Sequence, residues 1–65
     1  MHHFELRNSA DGVVGTAHCQ QDGWRFMPRV SGRKPSTKRH ETAVDSVPAW
    51  ARKYLTRGEW RKVEA

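Results

Sequence analysis

Val13-Val14-Gly15-Thr16-Ala17-His18-Cys19-Gln20-Gln21-Asp22-Gly23-Trp24-Arg25-Phe26-Met27-Pro28-Arg29-Val30 is the stretch whose reading decides the fold. Beyond Asp22-Gly23, an extended chain places Trp24, Phe26 and Val30 on one face and Arg25, Met27 and Arg29 on the other. The Asp-Gly pair supplies the tolerance of positive φ that a hairpin turn needs. Before it, Val13–Cys19 is rich in β-formers but open in register. Val13, Ala17 and Cys19 lie on one face, and Val14, Thr16 and His18 on the other. Upstream, Phe4 and Leu6 alternate with His3, Glu5 and Arg7, and a second Asp-Gly, Asp11-Gly12, follows. Three alternating runs separated by two turn signals predict an antiparallel meander with strands near 2–8, 13–19 and 24–30.

Downstream the pattern changes twice. Residues 31–40 read Ser-Gly-Arg-Lys-Pro-Ser-Thr-Lys-Arg-His, with Pro35 as the sole apolar residue, and predict a basic loop. Val44, Val47, Ala51, Tyr54 and Leu55 then recur at helical spacing, widened by Ala43 and Trp50. This predicts a helix near 42–57, opened by a capping box between Thr42 and Asp45, bent at Pro48 and stopped by Gly58. Glu59–Val63 alternates again, either as a short fourth strand at 59–63 or as a fold-back of Trp60 over the core. The expected architecture is α+β, a single domain over 1–65. A three-stranded meander (β-β-β-α) would pack Phe4, Leu6, Trp24, Phe26 and Val30 on the Val44/Val47/Ala51/Tyr54 stripe. The other face, with His3, Glu5, Arg7, Arg25, Met27 and Arg29, would meet water.

Composition narrows the function classes. A chain of 65 residues, 35% of them hydrophobic, buries only about 60% of its extended surface on folding. No apolar run reaches the ~18 residues of a membrane span and no secretory h-region follows Met1, so a cytoplasmic protein without membrane contact is expected. Cys19 is the single cysteine and has no internal disulfide partner, which suits a reducing compartment. The net charge of +5 is concentrated, because residues 25–40 hold Arg25, Arg29, Arg33, Lys34, Lys38 and Arg39 and no acid. Guanidinium forks grip phosphate oxygens, and counterion release drives their association with polyanions. Arg25 and Arg29 on the outer face, Arg33, Lys34, Lys38 and Arg39 on the adjoining loop, and Arg7 on that same outer face are the expected nucleic-acid-binding set. DNA is the expected partner because a β-ribbon fits its major groove.

A resemblance supports this direction. Gly23-Trp24-Arg25-Phe26, the basic turn Gly32-Arg33-Lys34, and Glu41-Thr42-Ala43 leading to Trp50-Ala51 resemble the arm-type DNA-binding domain of tyrosine recombinases. The outline is similar also to the plant ethylene-response-factor domain. In those families a three-stranded sheet on one helix enters the major groove, which implies that Arg25 and Arg29 contact bases or phosphates. The likeness covers roughly residues 3–56, with few identities. It departs from the family at His40-Glu41, where an aromatic is usual, and at Pro48, and no recombinase catalytic domain is expected within these 65 residues. A free-standing chain of this kind also looks like a small phage or prophage accessory protein. That resemblance implies the alternative partner, a host protein. Interfaces are enriched in Trp and Arg, so an exposed Trp60 flanked by Arg57 and Arg61 would meet it, through an acidic surface of that partner.

Other chemistry finds little footing. His2-His3, His18-Cys19 and His40 lack the spacing that lets one element clasp zinc, so neither metal nor cofactor is expected. Cys19 with His18 or His40 as base would be a minimal nucleophile pair, but a small buried strand residue explains Cys19 more simply. The carboxylates are scattered, no Gly-rich phosphate loop is present, and so short a chain has little room for a pocket of ~300 Å³. No enzyme is expected. The expected state is a monomer or weak homodimer.

Overall fold

The computed structural model describes residues 2–8, 10, 12–54 and 60–64. Its elements are β1 (His2–Arg7), β2 (Val13–Gln20), β3 (Gly23–Pro28), β4 (Ser36–Lys38), the four-residue helix α1 (Ala49–Arg52) and β5 (Trp60–Glu64). They build a small antiparallel sheet of order β4-β3-β2-β1-β5 with a short helix, at a coarse level the α+β class expected. The meander β1-β2-β3 forms as the alternation predicts, but the sheet does not stop at three strands. β4 arises inside the segment read as loop, and β5 returns to pair with β1 (Leu6 opposite Trp60). The described residues contain no helix long and apolar enough to cross a membrane.

Local chemistry sets each turn. Asn8 organises the first: its Oδ1 accepts from the backbone N–H groups of Ala10 (3.0 Å) and Gly12 (2.8 Å), and its own N–H donates to Gly12 O (2.8 Å). The second is a two-residue hairpin, Gln21-Asp22, with Gln20 facing Gly23. A bulge between Leu6 and Arg7 shifts the pairing so that Leu6 faces Gly15 and Arg7 faces Val13. This settles the open register of β2: Ala17 and Cys19 join Phe4, Trp24 and Phe26, whereas Thr16 and His18 join Glu5 and Arg25.

Leu6, Val14, Ala17, Phe26, Ala43, Val47 and Ala51 form the buried core, with Phe4, Trp24, Trp50 and Trp60 packed around it. Burying Phe26 alone is worth about 2–3 kcal/mol, and Gly15 makes room for it. A Cβ at Gly15 would collide with the Phe26 ring and lie 2.8 Å from Met27 O.

The long helix expected over 42–57 does not form. The capping box does: Thr42 Oγ1 donates to Asp45 Oδ2 (2.6 Å), and Asp45 N–H donates to Thr42 Oγ1 (3.4 Å). One helical turn follows, with Ser46 N–H on Thr42 O (3.3 Å) and Val47 N–H on Val44 O (3.2 Å). Pro48 then has no N–H to continue the ladder and is extended (φ −66°, ψ 156°), so the chain restarts as α1 from Pro48 O. Arg52 takes over the interrupted bonding. Its Nε donates to Val47 O (3.0 Å) and its Nη2 to Val44 O (3.3 Å). The break rotates the apolar stripe: Ala43, Val47 and Ala51 are buried as expected, but Val44 and Tyr54 are each 49% exposed, and Ser46 faces inward instead. Val30, expected in the core, lies beyond β3 and is 39% exposed. Leu55, Gly58 and Glu59 lie outside the described residues.

Candidate nucleic-acid interface

The cationic run is carried by the β3–β4 side of the sheet. β4 pairs with β3 through Phe26–Ser36, Arg25–Thr37 and Trp24–Lys38, and Ser36 Oγ donates to Ser46 O (2.7 Å), tying this edge to the helical cover. At the far end Gly23 (φ 140°) lets the chain at Lys38 and Arg39 pass close. A Cβ there would meet Lys38 O and lie 2.7 Å from Arg39 Cα. His40 turns the chain with φ 50°, in the left-handed region.

The six cations do not tile one face; they wrap an edge. Arg25 lies on the outer face between His18 of β2 and Thr37 of β4, half-buried, and its Nε has no hydrogen-bond partner among the described residues. Arg29 stands one residue past β3, exposed, with its backbone N–H on Val14 O (2.7 Å). Arg33 is on the opposite side, its guanidinium 4.6 Å from the Trp50 ring centroid, and Trp50 meets Phe26 edge-on at 6.3 Å. Lys34, Lys38 and Arg39 are exposed, and Lys38 shares the face of its cross-strand partner Trp24. Three strand residues span roughly 10 Å, so the turn cations and the Lys38–Arg39 pair flank a short edge. Arg7 stands apart, its Nη2 2.6 Å from Glu5 Oε2.

Elsewhere on the outer face His3 and His18 stack, with ring centroids 5.2 Å apart and planes 20° apart. His18 Nε2 lies 2.8 Å from Thr16 Oγ1. Burial, and secondarily the neighbouring His3, hold the His18 pKa below its ordinary value. Asp45 titrates below the usual carboxylate range because Thr42 Oγ1, and then Thr42 N–H, donate to it. Among the described residues no three His, Cys, Asp or Glu side chains are grouped to hold a metal ion.

The alternative surface is placed differently from an exposed aromatic. Trp60 is half-buried on β5 with Phe4 edge-on against it at 5.9 Å, Arg61 is exposed on the same strand, and Arg57 lies outside the described residues. A feature that sequence reasoning missed sits here. A cavity of about 590 Å³ is lined by Phe4, Trp24, Trp60 and the stretch His40–Val44. This overturns the expectation that so short a chain lacks room for a pocket. The signal in the sequence was the alternation that puts Phe4 and Trp24 on one sheet face; the pairing of Leu6 with Trp60 brings the third ring to that face. The Phe4–Trp24 centroids are 5.4 Å apart at 45°, and the break at Pro48 leaves Val44 at the opening rather than in the core.

Compared with protein-family models, with curated proteins and with solved structures, the chain finds no match.

Proposed function

We propose that the chain is a small nucleic-acid-binding domain that grips phosphodiester backbone along the β3–β4 edge. The observation that carries this reading is the acid-free run of six cations over residues 25–40, combined with an edge strand that leaves Lys34, Lys38 and Arg39 exposed and fixes Arg25 on the adjoining face. Exposed cations on a tethered edge neutralise phosphates and release counterions, and such contacts give affinity without base reading. Arg25, Arg29, Lys34, Lys38 and Arg39 are the principal contacts. Arg33 contributes charge from its place over Trp50, and Arg7, bound to Glu5, contributes least. DNA is the working partner, and the edge geometry suits tracking of a backbone more than insertion of a flat sheet face.

The test is fluorescence anisotropy with labelled oligonucleotides at low salt. Dissociation constants in or below the range of roughly 10⁻⁴–10⁻⁶ M are expected, and the triple reversal Lys34→Glu, Lys38→Glu, Arg39→Glu is expected to abolish binding while the thermal melt stays cooperative. Unchanged binding by that variant, or none by the parent chain, overturns the proposal. Retention of a nuclease-insensitive acidic protein partner, lost on Trp60→Ala, would move the assignment to the protein-interaction alternative.

A further inference from the structure

The aromatic cavity adjoins the cationic edge, and the two together specify more than charge. Phe4, Trp24 and Trp60 contribute three ring walls, Phe4 inclined to Trp24 by 45° and to Trp60 by 89°, and Val44 adds an exposed aliphatic side. Trp24 is the cross-strand partner of Lys38 on the same face, and Arg39 leads directly into His40, which lines the cavity. Among the described residues Glu41 is the one acid lining the cavity, so the favourable side for an anion is the Lys38–Arg39 side.

From this juxtaposition we infer that the cavity takes an unstacked nucleobase, and therefore that the ligand of the cationic edge is single-stranded nucleic acid rather than duplex. This rests on the function proposed above. A π-face stacks on an aromatic side chain whatever the base, while flanking cations hold the backbone phosphates. In a duplex both faces of a base are already stacked and its edge is paired, so entering an aromatic recess requires unstacking; a single strand offers bases without that cost. A cavity of about 590 Å³ falls in the range of small-ligand sites, and its mostly apolar walls favour an aromatic base over a phosphate.

The experiment compares four ligands of equal length on the intact chain at one low salt concentration: oligo(dT), oligo(U), an abasic phosphodiester oligomer and a duplex. The base-bearing single strands are expected to bind about tenfold or more tighter than the abasic oligomer and to quench tryptophan fluorescence, which the abasic oligomer does not. The ranking of oligo(dT) against oligo(U) tells DNA from RNA. Trp60→Leu, accepted only with an intact melt, is expected to bring base-bearing ligands down to the abasic affinity, and the ligand comparison decides alone if that variant fails to fold. Equal affinity for base-bearing, abasic and duplex ligands overturns the cavity assignment and leaves the phosphate reading standing. No binding by any of them overturns both.

Discussion

The sheet body formed by β1–β3 and the segment from Ser31 to Tyr54 are held together by different means. In the body, alternation does most of the work: Phe4, Leu6, Ala17, Trp24 and Phe26 share one face because period two puts them there, and short hairpins fix the register. In the second segment single residues decide. Ser36 anchors to Ser46 O, Thr42 and Asp45 close a box, Pro48 stops a helix, and Arg52 satisfies the carbonyls that the stop leaves behind. A repeated pattern tolerates local error, whereas a chain of single bonds yields its conformation one contact at a time. The cationic edge and the aromatic cavity both lie where these two regimes meet.

The largest effect is expected in the body. Gly15→Val drives a branched side chain into the Phe26 ring and Met27 O. A loss of about 3 kcal/mol is expected, read by denaturant titration, and for so small a domain this leaves little folded protein. A tolerated substitution would mean that the tight packing of the body is not what holds it.

Arg52→Ala sharpens the other side. It removes two donors from Val47 O and Val44 O at an exposed site, for an expected cost of about 1 kcal/mol. In a Pro48→Ala background the backbone regains a donor for Val44 O, and the same substitution is expected to cost less. Equal costs in both backgrounds would show that Arg52 does not compensate for the proline.

How much was legible follows the same division. The three meander strands, the sidedness of Arg25 and the core places of Leu6 and Phe26 were readable because alternation and turn residues encode them. The Thr42–Asp45 box was readable too, but its consequence was not. Helical spacing runs unbroken across Pro48 in the sequence, while the missing N–H acts on the backbone alone. β4 was hidden because Ser36-Thr37-Lys38 carries no apolar signal and owes its pairing to a close approach at Gly23. Arg33 read as a phosphate contact from charge, and its place over Trp50 depends on a turn that composition does not describe.

A smaller effect concerns the outer face. Since burial lowers the His18 pKa in the folded chain, the unfolded chain takes up this proton first as pH falls. Stability is therefore full above the ordinary histidine value and declines as pH drops through the lowered one. A melting-temperature series from about pH 7.5 to about pH 5 should show this decline, and His18→Asn should flatten it. A parent chain equally stable across the range would contradict the placement of His18.

The central claim is that phosphate contacts along the β3–β4 edge drive binding, and the salt dependence of affinity tests it most directly. Plotted as log association constant against log salt concentration for a single-stranded oligonucleotide, the parent chain is expected to give a straight line of negative slope. Neutralising Lys34, Lys38 and Arg39 one at a time to glutamine should make it shallower by about 0.7 per residue. A slope near zero, or one that these substitutions leave unchanged, would contradict the account.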